Sequence, residues 1–112
     1  KNIRDWLYVL DHCKGIDLVF RNGKLGETYN IGGKNEQNNL QIVHQICTIL
    51  DEIHPKEISY KAQISFVKDR PGHDFRYAID ATKLETELGW KADDNFESGI
   101  LKTVHWYLKK SN

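Results

Sequence analysis

Ile3-Arg4-Asp5-Trp6-Leu7-Tyr8-Val9-Leu10 is an aromatic and aliphatic run with no Gly or Pro inside it, and Asp11 closes it. The run is short for a helix and of ordinary length for a strand, so the chain is expected to open on a β-strand. Asp11 is then an N-cap candidate. Ile16, Val19 and Phe20 supply one apolar helical face and Asn22-Gly23 the exit, which predicts a helix over 11–21. A strand that feeds a helix is the first half of an α/β unit.

The rest of the chain continues the alternation. Thr28-Tyr29-Asn30-Ile31 reads as a second strand, stopped by Gly32-Gly33. The clearest helix runs over 39–53, where Val43, Ile46, Cys47, Leu50 and Ile53 recur at three- and four-residue steps before His54-Pro55 ends it. Asn38 and Gln41 have capping-box spacing, which leaves the side chain of Asn39 free to point elsewhere. A third strand is expected over 64–67, leading into the polar turn Asp69-Arg70-Pro71-Gly72-His73. Asp80 then caps a short helix that carries Leu84 and Leu88 and stops at Gly89. A last helix begins near Asp94-Asn95-Phe96-Glu97 and turns Ile100, Leu101, Val104 and Leu108 inward. Strands separated by helices favour parallel pairings, so the expected fold class is α/β, a single domain over 1–112 with few short strands and flanking helices.

Composition narrows the function classes. The 112 residues include 16 basic and 16 acidic side chains, a net charge of zero, which argues against a surface built to displace counterions from nucleic acid. No apolar run is long enough to cross a bilayer, and the opening residues lack a signal-peptide core. Cys13 and Cys47 alone make neither a disulfide framework nor a metal-type pair, which fits a reducing cytoplasm. The sequence contains no Met and opens directly into an apolar run, so it is expected to be a piece of a longer chain.

Three polar clusters fall at junctions between elements, where ligands usually sit. They are Arg4-Asp5, the segment from Asn30 through Gly32-Gly33 to Asn39, and Asp69 to His73. A guanidinium presents a planar fork of donors that matches phosphate oxygens, so Arg4 and Arg70 on converging loops would suit a diphosphate. Each arginine also stands beside an aspartate with which it could simply pair. His73, after Pro71-Gly72, could reach a ribose, sugar or phosphate oxygen, or could be an ordinary surface histidine. Gly32-Gly33 allows a sharp turn or a close ligand approach, yet no G-x-G-x-x-G is present to hold a dinucleotide. The five histidines have no metal-type spacing. Cys47 lies on the apolar helical face and is expected in the core. The aromatics Trp6, Tyr8, Trp90, Trp106 and Tyr107 are expected to pack.

These segments resemble a known family. Arg4-Asp5-Trp6-Leu7-Tyr8-Val9 followed by Asp11 is similar to the R-D-[WFY]-[IL]-[YH]-V-x-D segment of extended short-chain dehydrogenases/reductases that act on nucleotide sugars. Tyr29-Asn30-Ile31-Gly32-Gly33, Asn35-Glu36, Asn39-Leu40, Asp69-Arg70-Pro71-Gly72-His73-Asp74 and Arg76-Tyr77-Ala78-Ile79-Asp80 resemble the dTDP-glucose 4,6-dehydratases in particular. Leu88-Gly89-Trp90 and Phe96-Glu97-Ser98-Gly99-Ile100 fit the same pattern. Leu10 stands where a typical member has Glu, a departure that touches packing more than ligand contacts.

The resemblance implies a C-terminal substrate-binding lobe of an NAD-dependent hydro-lyase that converts dTDP-glucose to dTDP-4-keto-6-deoxyglucose and water, with the Rossmann half absent. In that family NAD takes a hydride from C4 of the sugar and returns it at C6. The family's NAD loop, its Tyr-x-x-x-Lys pair and its Thr-Asp-Glu acid/base set lie upstream of the matched region, and Tyr60 is followed by Lys61 directly. The implied substrate contacts are Arg4, Asn39, Asp69, Arg70, Pro71, Gly72 and His73, with no catalytic, cofactor or metal residue in this chain. The chain alone is thus expected to be inactive and to self-associate through uncovered apolar surface, while the full-length chain is expected to form a homodimer. The competing readings are the corresponding lobe of another nucleotide-sugar epimerase or decarboxylase, and a non-catalytic nucleotide-binding module.

Overall fold

The computed structural model describes residues 3–67, 76–77 and 79–111. Among these the element order is β1 (Ile3–Asp5), α1 (Val9–Asn22), β2 (Glu36–Asn38), α2 (Asn39–Ile53), a 3-10 turn (Tyr60–Gln63), β3 (Arg76–Tyr77), α3 (Thr82–Leu88) and α4 (Phe96–Ser111). The α/β class holds, but the sheet is smaller and differently wired than the pattern predicts. Its order is β2-β1-β3, with β1 antiparallel to β2 and parallel to β3.

The helices follow their local signals. Asn38 and Gln41 form the capping box of α2, with Asn38 Oδ1 accepting from the Gln41 amide at 2.8 Å and Gln41 Oε1 accepting from the Asn38 amide at 2.7 Å. At the start of α4, Asn95 Oδ1 accepts from the Ser98 amide at 2.8 Å, and Ser98 Oγ accepts from the Asn95 amide at 3.1 Å. Gly89 ends α3 at φ 70°, a left-handed position that glycine adopts without strain. Cys47 is buried, as its place on the apolar face predicts.

Several boundaries move. The opening strand stops at Asp5 instead of Leu10, and α1 starts at Val9. Beyond Asp5 the chain turns onto α4, where Tyr8 lies so close to Gly99 that a Cβ there would stand 3.1 Å from the Tyr8 Cβ. Asp11 is inside the first turn of α1 instead of at its cap. Residues 28–31 pair with no described strand; Lys83 Nζ donates to Thr28 O at 2.9 Å, and Ile31 packs on Gly15. Residues 64–67 are also not a strand: they come after the 3-10 turn, and Phe66 and Val67 are exposed. Ala81 takes the N-cap of α3, while Asp80 Oδ1 accepts from the Thr82 amide at 2.9 Å.

The core gathers where α1, α3 and the segment after α3 meet, and again between α2 and α4. Leu84, Ala81 and Trp90 fill the first region; Ile42, Cys47, Phe96 and Val104 lie in the second. Asp11 is the one buried charged residue among those described, 2% exposed. Its carboxylate accepts from the amides of Asp93 at 2.8 Å and Asp94 at 3.1 Å, and its carbonyl accepts from the Trp90 indole at 3.1 Å. A buried carboxylate is tolerated because these donors replace its water. The face of α1 carrying Ile16 and Phe20 does not turn inward. Phe20 is 88% exposed, because Asp11 and Gly15 are the side of α1 that is buried. Leu101 of α4, Trp106 and Tyr107 are likewise exposed, against the inward or packed positions the pattern predicts.

Candidate functional site

The geometry of the site arises from one register. Ile3 stands opposite Asn38 of β2 and beside Arg76 of β3. β2 runs against β1 and leads straight into α2, so Asn39 leaves the sheet at the end where β1 enters. β3 runs with β1, so the chain enters β3 at that same end. Arg4, paired with Gln37 on one side and Tyr77 on the other, is the next residue along.

Arg4 is half-buried and donates from Nη1 to the Ile3 carbonyl at 3.0 Å. Asn39 is exposed, and no hydrogen bond of its side chain is formed among the described residues. Because Asn38 does the capping, the amides of the first turn of α2 stand at the positive end of its dipole with no acidic side chain in that turn. Two of the seven sequence-predicted site residues, Arg4 and Asn39, are therefore brought to one end of the sheet. Asp69, Arg70, Pro71, Gly72 and His73 lie outside the described residues.

Sequence reasoning missed the residue that builds this end. Asp5 Oδ1 accepts from the amide of Gly33 at 3.2 Å and from that of Asn35 at 3.1 Å. Between those amides Lys34 has φ 59°, the only positive φ at a non-glycine residue among those described. Trp6 completes the clamp: its amide donates to the Asn35 carbonyl at 3.0 Å, its carbonyl accepts from Asn35 Nδ2 at 3.2 Å, and its indole donates to the Gln37 carbonyl at 3.2 Å. Partners about thirty residues apart in the chain leave no local signal. The side-by-side Asp and Gly-Gly were visible only as separate clusters.

The glycine pair does not form a cradle for a dinucleotide. A Cβ on Gly32 would stand 2.6 Å from the Asp5 carboxylate, and one on Gly33 would stand 2.9 Å from the Trp6 carbonyl. Both glycines are taken up in packing against β1 and Trp6, so this pair does not hold a dinucleotide. A cavity of about 150 Å³ lies between the 6–8 segment, α2 and α4, lined mainly by apolar side chains such as Trp6, Ile42, Phe96 and Ile100. It includes neither Arg4 nor Asn39 and is a packing crevice between elements. Among the described residues no group of three His, Cys, Asp or Glu side chains could hold a metal ion, and no helix is long and apolar enough to cross a membrane.

The family model described as GDP-mannose 4,6 dehydratase matches residues 1–103. The chain belongs to that family. A probable dTDP-glucose 4,6-dehydratase of Sinorhizobium fredii is 62% identical over 108 residues, covering 96% of this chain and 31% of its own length. The crystal structure of dTDP-glucose 4,6-dehydratase from Bacillus anthracis in complex with NAD superposes with a TM-score of 0.84 at 46% identity, over 98% of this chain and 32% of that one. A dTDP-glucose 4,6-dehydratase of Streptomyces venezuelae gives the same TM-score at 37% identity, over 96% of this chain and 31% of that one. The chain thus spans about a third of the length of the family members it matches.

Proposed function

We propose that this chain is the nucleotide-sugar-binding domain of a dTDP-glucose 4,6-dehydratase, the C-terminal part of an enzyme that removes water from dTDP-glucose to give dTDP-4-keto-6-deoxyglucose. The observation that carries the reading is the register at Ile3, which sets Arg4, Asn39 and the entry to β3 at one end of the sheet. His73 is only three residues ahead of Arg76 in the chain.

The chemistry of the set suits a diphosphate. Forked guanidiniums from Arg4 and Arg70 would each meet two phosphate oxygens, and the first-turn amides of α2 that the capping box does not take would add neutral donors and a favourable dipole. Asn39 would bond a polar edge of the nucleotide through its amide. His73 would bond a sugar or phosphate oxygen, while Pro71-Gly72 would fix the turn that presents Arg70 and Asp69 would orient it. These residues bind and orient; none takes or gives a hydride. The redox step belongs to NAD, which residues outside this chain would hold, so the chain alone would be inactive. The same reading carries a cytoplasmic enzyme that works as a homodimer.

The test is Arg4→Lys in the full-length enzyme. An ammonium cannot reproduce the fork, so KM for dTDP-glucose should rise about tenfold, corresponding to about 1.4 kcal/mol of lost binding, while NAD affinity stays unchanged. Equal losses for both ligands would refute the assignment.

A further inference from the structure

The clamp at Asp5 has a cost that packing alone does not explain. Lys34 is held at φ 59°, where a side chain crowds its own backbone by roughly 1–2 kcal/mol. Such a conformation persists only if its surroundings impose it. Asp5 does so by accepting both amides that flank Lys34, at 3.2 and 3.1 Å, the way a concave pair of N–H groups holds an anion. The turn then delivers β2 in a register that sets Asn38 against Ile3, with Gln37 against Arg4 and Asn39 one step beyond. Because side chains alternate along a strand, a slip of one residue would turn every β2 side chain to the other face and shift the start of α2 along β1.

We infer that Asp5 is a positioning residue for nucleotide-diphosphate binding: by holding the left-handed turn at Lys34 it fixes the register that brings Asn39 and the start of α2 beside Arg4. This rests on the binding role proposed above. Simple electrostatics predicts the opposite effect for Asp5, since a carboxylate next to a cation that grips an anion weakens the grip. Removing Asp5 would then tighten binding. If Asp5 acts through the turn, removing it weakens binding, because apparent affinity falls with the fraction of molecules in the competent register.

The experiment uses the full-length enzyme and titrates dTDP, with NAD affinity and melting temperature measured in parallel. Asp5→Asn keeps the size of the side chain but loses the charge that strengthens both bonds. It should weaken dTDP binding about tenfold with NAD affinity unchanged. Lys34→Gly should bind like the wild type, since the Lys34 end of its ion pair with Glu85 is open to solvent and glycine enters the left-handed region freely. Placed on Asp5→Asn, Lys34→Gly should restore most of the lost affinity, because the turn no longer needs a clamp. Unchanged or tighter binding by Asp5→Asn overturns the inference, as does a loss that Lys34→Gly fails to restore. A parallel fall in dTDP affinity, NAD affinity and melting temperature would mark Asp5 as merely structural and overturn it too. A wild type that binds no dTDP overturns the binding role itself.

Discussion

Asp11→Ala should be among the most damaging single changes in this chain. The carboxylate is 2% exposed and accepts the amides of Asp93 and Asp94 at 2.8 and 3.1 Å. Truncation strands both donors in a part-buried site, at about 1–3 kcal/mol each. Incomplete relaxation and some water entry place the sum at about 2–5 kcal/mol. A domain of this size is typically stable by only about 5–15 kcal/mol, so the change removes a large share of the total. Asp11→Asn is a sharper probe. Its carbonyl can still accept one amide, but its NH2 faces the other donor, so it should lose about half as much as alanine. Urea unfolding followed by far-UV circular dichroism measures both, with the slope checked for constancy. A loss below about 1 kcal/mol for Asp11→Ala would refute the view that this carboxylate ties α1 to the 93–94 segment.

Gly15→Ala sets helix propensity against packing. The gain is about 1 kcal/mol, but the new methyl would lie 3.0 Å from Ile31 and 3.1 Å from the Trp90 indole, which is fixed by its bond to Asp11. Overpacking of about 1–3 kcal/mol should win, and a stabilised variant in thermal unfolding would contradict it. Stability should also fall in acid. Asp51 is held below its ordinary carboxylate value by hydrogen bonds from Ser59 and the Tyr60 amide, and Asp94 by Lys102 and Ser98. Their contribution is complete above the ordinary aspartate range and is lost as pH falls below it; Asp51→Asn should flatten that part of the pH profile, and an unchanged profile would argue against a stabilising role for its bonds to Ser59 and Tyr60. The 112-residue chain incubated with NAD and dTDP-glucose should yield no 4-keto product, and any measurable turnover would overturn the division of labour. Phe20 and Ile16, 88% and 55% exposed, should drive self-association of that chain in light scattering, which Phe20→Asp should reduce; a wild-type monomer at high concentration would count against it.

Legibility in the sequence tracked how local each cause is. The α2 helix, its capping box and the Gly89 stop depend on residues within one or two turns, and all three stand as the spacing predicts. Strands depend on partners elsewhere. Tyr8 and Val9 have strand-forming chemistry but meet α4 and start a helix, and 28–31 finds side-chain partners in place of a ladder. The α1 face was misread because Asp11, which looks like a cap, is the residue α1 buries. For the site, the sequence singled out seven residues, of which Arg4 and Asn39 are the two described, and the sheet brings those two to one end. It treated Asp5 as a pairing partner for Arg4, since the turn Asp5 holds lies far along the chain.

The most direct measurement is a crystal structure of the full-length enzyme with dTDP bound. The account predicts that the guanidiniums of Arg4 and Arg70 both lie within hydrogen-bond distance of the diphosphate, with Asn39 and His73 in the same cleft. A diphosphate held without either arginine, or the two head groups facing separate surfaces, would contradict it.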